Sequence, residues 1–408
     1  MACNGKIDQW IFYLMGLFAL TTCVVPRVAN YILAVAVLLG IFRWKKQRPD
    51  LCLPKPYARA LLVFFGVMFL SIWLSPDIIT SAKEFWRFVN RLLAGAVILL
   101  FIKEEQELLK IFFAFLVSMC INNIYAIYKG IGLIAAGAVD VRSFGFENGA
   151  IILSGHLLLA VPLLFILLLE RRPSGWQKYI AAAFGIALAA LLLNGTRIAW
   201  VILAVLLPAL VVIYLKDWKK LLLLCLTASF LCTAAIYTMP FLQQRLLSFT
   251  DAKQVSNQGH YFIMRDSLQM IKEQPILGVG LGRYQKVFNE KYRSAEHIAL
   301  EPGLTPHAHN NTLTIWAETG IFGCLAFWFM FGSFLYYSLK RWLKRRQASD
   351  LMFFTITLAA VLQGITDYSF GFNQVVKIYF CLLAIYLNHQ RYETKATADP
   401  YKGGKSCG

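Results

Sequence analysis

The sequence predicts an all-α polytopic membrane protein of about twelve transmembrane helices, and three observations carry that expectation. Hydrophobic residues make up 58% of the 408 positions and charged residues 15%, whereas a soluble domain is close to half apolar and about a quarter charged. The apolar residues gather into runs suited to spanning helices, each of which needs ~20 mostly apolar residues. The basic residues, which set a formal net charge of +18, fall in short clusters between those runs, as cytoplasmic loops do. Membrane topology therefore accounts for the charge. Membrane lipids are the expected surroundings, and a nucleic-acid partner is not.

Taken in order, the apolar runs fall at 10–25, 29–43, 59–75, 91–102, 110–136, 150–169, 179–193, 197–215, 220–239, 311–338, 351–366 and 373–388, each read as a helix from its length and apolarity. The first run lacks a small-x-small cleavage site and is followed by many more, so it reads as a span and not as a cleaved signal. Orientation follows from the positive-inside rule. With both termini cytoplasmic, the inner loops carry Arg43 to Arg48, Lys103 with Lys110, Arg171-Arg172, Lys216 with Lys219-Lys220, and Lys340-Arg341 with Lys344 to Arg346. The polar tail at 390–408 adds Arg391, Lys395, Lys402 and Lys405. The short outer loops are poorer in Lys and Arg, although Lys83, Arg87 and Arg91 cluster at the second.

The chain reads as one membrane domain over 1–408, with no internal repeat, domain-type linker or low-complexity tract. Its nine cysteines include no Cys-x-x-Cys pair, and the long polar segment contains none. Neither a structural disulfide nor a zinc site is expected.

One large outer loop, 240–309, joins the ninth and tenth helices. Its length exempts it from the charge rule. Within it, residues 259–273 have amphipathic helical spacing, with Phe262, Leu268 and Ile271 set against Arg265, Asp266 and Lys272. Pro275 should stop that helix, and Gly278, Gly280 and Gly282 should make a tight turn. The helix is expected along the membrane interface.

Outward-facing polar groups next to helix ends are the candidates for chemistry. His309 precedes Asn310, Asn311 and Thr312, which are good helix N-caps. A positive helix terminus disfavours imidazolium, leaving a ring able to accept a proton; the alternative is a solvated histidine at a helix mouth. Arg197 opens the eighth helix after a very short outer loop. There an ionisable group is either functional or simply snorkelling to the interface. Arg265 occupies the polar face of the loop helix, where an ordinary solvated charge competes with a functional one. Arg142 and Arg87 are weaker outer-face arginines of the same kind. No Asp-x-Asp, phosphate loop, His-Glu-x-x-His or Rossmann fingerprint is present. Arginines with a histidine and no acidic pair for a divalent cation suggest fixed cations handling a phosphorylated substrate, because Arg matches phosphate oxygens bidentately.

The pair His309-Asn310, nine further residues and Gly320 resemble the His-[Asn/Ser/Gln]-x9-Gly signature of bacterial O-antigen ligases. Gly195-Thr196-Arg197 opening a helix is similar to that family's first arginine region, and Arg265 ahead of Pro275 to Gly280 resembles the segment leading into its large periplasmic loop. Ser75 to Asp77 with Lys83 to Phe85 is similar to the early outer loop of enterobacterial-type ligases. The likeness in organisation covers nearly the whole chain. It implies a membrane fold of the GT-C-like kind, with a large periplasmic loop between helices nine and ten. It also implies an inner-membrane glycosyltransferase, inverting and metal-independent, with no cofactor. The donor would be a glycan on undecaprenyl diphosphate and the acceptor a sugar hydroxyl of lipid A–core. In that reading Arg197 and Arg265 hold the diphosphate and His309 is the base, with Asn310 and Glu318 orienting groups around the mouth. His307 precedes the motif histidine by two residues, and the resemblance favours His309, which alone carries the following Asn. A polymerase usually lacks the histidine element, and a protein O-oligosaccharyltransferase usually has a longer chain. A lipid-linked glycan flippase would place charged sites near the midplane, where Lys129 is the main polar group.

Overall fold

The computed structural model describes residues 2–46, 49, 53–138, 140–170, 175–215, 219, 226–227, 233–234, 236–248, 251 and 254–398, and no strand occurs among them. Their elements are α1 (Ala2–Thr21), α2 (Pro26–Lys46), α3 (Lys55–Trp73), α4 (Ile78–Phe101), α5 (Glu105–Ala135), α6 (Ala150–Leu169), α7 (Trp176–Asn194) and α8 (Arg197–Tyr214). There follow α9 (Pro240–Leu247), α10 (Val255–Glu273), α11 (Tyr284–Val287) with a π-helical turn Phe288–Tyr292, and α12 (Ala295–Leu300). The long α13 (Asn311–Arg345), α14 (Ala348–Gln363), a 3-10 turn Ser369–Gly371 and α15 (Asn373–Ala398) complete the chain.

Eleven of the twelve apolar runs lie on a helix. The run 220–239 falls largely outside the described residues, as do the basic groups Arg48, Arg171-Arg172, Lys216, Lys220, Lys402 and Lys405. Seven of the described helices are long and apolar enough to cross a membrane. Leu38, Leu62, Leu70 and Val205 stand at least 60% exposed on the outside of the bundle. So much apolar surface belongs against hydrocarbon, where no water is displaced by hiding it. The protein is a multi-pass membrane protein. Its thiols Cys23, Cys120, Cys324 and Cys381 are unpaired.

From α1 to α8, and again from α13 to α15, consecutive long helices run in alternating directions. At one end Asn194 on α7 donates to the Ala150 carbonyl at the start of α6, at 2.8 Å. There too, Lys377 on α15 donates to Asn30 on α2 at 2.6 Å, and the Asn311 amide at the start of α13 reaches the Gly364 carbonyl just past α14. At the other end Arg43 on α2 meets Asp8 on α1 at 2.9 Å, and Arg341 on α13 meets Asp350 on α14 at the same distance. α6, apolar on every side, runs through the middle with Leu153 to Leu167 almost continuously buried, as expected of a helix without a polar face. α15 packs along α4, and Gly95 lets the two backbones touch: a Cβ there would lie 2.6 Å from the Phe380 carbonyl oxygen. Small residues serve such close helix pairs generally.

Two expectations need correction. Residues 78–90 belong to α4 and not to a loop, with Asp77 capping the helix by accepting from the Thr80 amide at 3.0 Å; their polar character had disguised a helix that begins outside the apolar run. In α10 the buried face is Ile263, Met270 and Ile271 together with Asp266, while Leu268 is exposed. Asp266 turns inward because it accepts from both the amide and the hydroxyl of Ser294, at 3.0 and 2.8 Å, at the start of α12. This face packs on α13.

The segment after Pro275 is seated on α13 at a break in that helix. Gly320 has φ 68° and ψ −169°, a region essentially closed to other residues. The break exposes carbonyls: Val279 N donates to Ala317 O at 2.8 Å and Gly280 N to Glu318 O at 2.9 Å, while Ile321 N donates to the Pro275 carbonyl at 2.9 Å. A Cβ on Gly320 would run into the Ile276 carbonyl. The nine-residue spacing from Asn310 to Gly320 thus has a physical meaning: it sets the distance between the capped start of α13 and the break that holds the loop.

Candidate active site at the mouth of α13

Asn310 caps α13: its Oδ1 accepts from the Leu313 amide at 2.9 Å, and its Nδ2 donates to the Ile365 carbonyl at 2.7 Å. These bonds tie the helix start to the turn between α14 and α15. They also aim the preceding residue, His309, whose φ of 47° is left-handed, a conformation uncommon outside glycine and found at functional sites. Its Nδ1 stands 3.7 Å from an Asp367 carboxylate oxygen. That is an ion-pair distance and not a hydrogen bond, and Nδ1 is buried without a hydrogen-bond partner. His307 and His260 crowd the same ring, with centroids 4.5 and 5.1 Å away. Burial, reinforced by His309 and His260, pushes His307 down to about 3. Burial likewise lowers His260, with His309 adding to it.

His309 lines a cavity of about 430 Å³ whose walls carry Arg142, Arg197, Arg245, His260 and Asp367. Arg197 starts α8 after the Gly195 turn. Its Nη1 donates to the Ser248 carbonyl at 2.7 Å and to Gln254 at 3.1 Å, and its Nη2 donates to Asn257 at 2.7 Å. The side chain therefore faces the cavity while holding the loop between α9 and α10. Arg245, from α9, donates to the Gly195 carbonyl at 2.6 Å and pairs with Asp140 at 3.4 Å. Burial lowers the Arg245 pKa, Asp140 opposes that, and the neighbouring Arg142 and Arg197 push it further down. The Nε of Arg142 is buried without a hydrogen-bond partner. Like charges gathered this closely repel one another, and an anion between them relieves the repulsion.

Arg265 lies elsewhere. It sits 41% exposed on α10, paired with Asp266 at 3.0 Å and Glu296 at 3.3 Å, and does not line the cavity. Glu318 is buried under the loop, where it accepts from the Tyr284 amide at 3.1 Å. Arg87 and His307 line a second cavity, of about 570 Å³, between the first half of α4 and the start of α15. Of the residues singled out in sequence, His309, Asn310, Arg197 and Arg142 line the first cavity and His307 packs against the His309 ring from the second, while Arg265, Arg87 and Glu318 lie elsewhere. Among the described residues no cluster of three or more His, Cys, Asp or Glu is placed to hold a metal ion.

Sequence reasoning missed Arg245, His260 and Asp367. Arg245 stands alone among apolar residues and glutamines just ahead of the loop helix, a weak signal. Asp367 is a single acid in a short turn, passed over by a search for acidic pairs. His260 lies five residues ahead of the arginine that was chosen.

Among the described residues the protein is an all-helical multi-pass bundle with an arginine-rich cavity beside two imidazoles at one end. Residues 182–328 match the family described as O-antigen ligase, which the chain resembles over that segment. The matched segment contains Arg197, Arg245, His260, Arg265, His309 and Gly320, and leaves Arg142, Asp367 and Arg87 outside. Members of the family are glycosyltransferase-like ligases and polymerases. No curated protein matches the chain.

Proposed function

We propose that the protein is an O-antigen ligase that transfers a preassembled glycan from undecaprenyl diphosphate to a sugar hydroxyl of lipid A–core. Its termini are cytoplasmic and its cavity opens on the periplasmic face of the inner membrane. The observation that carries this reading is the meeting of two imidazoles, His260 and His309, and three guanidiniums in a single cavity.

Arg142, Arg197 and Arg245 cradle the diphosphate, for which planar guanidinium forks are suited. The bond between the anomeric carbon and the phosphate oxygen breaks, and its electron pair leaves with the diphosphate. The arginines compensate the charge that develops there. The acceptor hydroxyl attacks the opposite face of the anomeric carbon, which inverts, and its proton passes to His309 Nε2. Asp367, facing Nδ1, keeps the proton on that nitrogen and stabilises the imidazolium that forms. Arg265 supports the site from a distance by fixing α10 to α12, and the charge compensation needs no divalent cation.

A deletion strain tests the reading. Long O-antigen should disappear from lipid A–core while long chains persist on undecaprenyl diphosphate. Core capped by a single repeat would instead mark a polymerase.

A further inference from the structure

We infer that the second cavity, of about 570 Å³, is a carbohydrate subsite that holds the sugar of the acceptor; the inference rests on the transferase reading above. Its position comes first. His307 lines this cavity and His309 lines the arginine cavity, and their rings are 4.5 Å apart. The two chambers therefore share a wall made of imidazole. A transfer between two large substrates needs them to approach one base from different sides.

The lining differs in kind from that of the arginine cavity. Glu84, Arg87 and Arg91 recur on α4 at helical spacing and so share one face, with Asn90 beside them. Glu84 pairs with Arg87 at 2.7 Å and lies 4.0 Å from Arg91, so one carboxylate offsets part of the charge of the two guanidiniums. What remains on offer is a mixture of carboxylate, amide, guanidinium and imidazole, able both to donate to hydroxyls and to accept from them. Trp86 stands 60% exposed on the lining and offers a flat apolar surface to the C–H face of a sugar ring. A polyhydroxylated ligand fits that combination of donors, acceptors and flat apolar surface.

The wall is also built and not incidental. Arg91 is 5% exposed, and its Nη1 and Nη2 donate to the Phe370 and Gly371 carbonyls at 3.0 and 3.2 Å. That fixes α4 against the turn before α15. Its Nε is buried without a partner, one donor left over after the wall is made. Buried donors are seldom left so.

The test uses the full-length protein in detergent and, as probe, the core oligosaccharide released from lipopolysaccharide by mild acid. Binding is measured by calorimetry for the parent, Trp86→Ala, Asn90→Ala and Arg142→Ala, each first shown to have the parent's elution profile and melting temperature. The expected result is a Kd weakened by about ten-fold or more in Trp86→Ala and in Asn90→Ala, equivalent to ~1.4 kcal/mol each, with Arg142→Ala near the parent. Binding lost only in Arg142→Ala, unchanged in all three, or absent from the parent up to about 10 mM would overturn the inference. The transferase reading is scored separately, by glycan transfer with intact lipid-linked substrates. A parent that transfers while the α4 variants bind normally refutes the subsite alone. A parent that binds in the expected pattern without transferring refutes the reaction alone.

Discussion

The His309 imidazole faces the Asp367 carboxylate across 3.7 Å, although the two residues come from different junctions, one before α13 and one between α14 and α15. The Asn310 bond to the Ile365 carbonyl holds those junctions together. If His309 is the base, His309→Ala should lower the transfer rate about 10²–10⁴-fold with donor affinity near the parent. Asp367→Asn, which keeps the shape but removes the charge that selects the tautomer, should cost roughly ten-fold or more in rate, again with little change in donor affinity. Steady-state kinetics with each substrate varied separately decide this. A fully active His309→Ala removes the residue from the mechanism.

The arginines should divide into two groups. Lysine keeps the charge of Arg142, Arg197 or Arg245 but not the fork, so each Arg→Lys variant should be nearly as impaired as its alanine counterpart. Arg265→Lys should stay close to the parent, because exposed ion pairs contribute little. Donor affinity and transfer rate at matched membrane expression are the quantities to compare. An active Arg197→Lys, or an inactive Arg265→Lys with normal donor binding at the cavity, reverses the grouping.

How much of this was legible in the sequence depends on how local each signal is. Apolar runs and the Asn310 cap are local: eleven of the twelve runs lie on described helices, and the cap stands at the start of α13. The first half of α4 escapes a reading by apolar runs because Lys83, Glu84, Arg87 and Asn90 make it polar. The loop helix was found, yet its buried face was misjudged: Asp266 turns inward for the sake of Ser294, 28 residues away. The arginine cavity needed still more distant information. Arg142 lies in the connection between α5 and α6, Arg197 on α8 and Arg245 on α9, and nothing in the spacing of 142, 197 and 245 says that they converge. Resemblance favoured Arg265, whose neighbours Asp266 and Glu296 occupy it instead.

Gly320 should be close to irreplaceable for a structural reason. Gly320→Ala forces a side chain into a glycine-only conformation, which by itself costs about 1–3 kcal/mol, and drives its Cβ into the Ile276 carbonyl. The variant should melt well below the parent, and proteolysis between Pro275 and Gly282 should accelerate as the loop detaches from α13. A parent-like melting temperature would mean that the break in α13 is not needed.

The depressed His307 pKa makes stability depend on pH in a stated direction. The folded group sits at about 3 against an ordinary 6.5, so between those values the unfolded chain binds more protons and stability rises with pH. The contribution is fully present above pH 6.5 and is lost progressively as pH falls toward 3. Melting curves of the parent and of His307→Gln from pH 7 to pH 4 should therefore converge at the acid end, with the variant showing the shallower slope. Parallel curves would show that His307 is not held neutral by its surroundings.

If guanidiniums supply the charge compensation, excess EDTA should leave the transfer rate unchanged. Activity that disappears with chelator and returns with added Mg²⁺ or Mn²⁺, which take oxygen ligands, would contradict that assignment.

The most direct test of the central claim is a reconstituted transfer assay. Purified protein is mixed with undecaprenyl-diphosphate-linked glycan and lipid A–core, and the products are resolved by gel and mass spectrometry. The expected result is glycan attached to core with inverted anomeric configuration, abolished together by His309→Ala and by Arg142→Ala. Glycan lengthening on the lipid carrier with no product on core, or core product that survives loss of both residues, would contradict it.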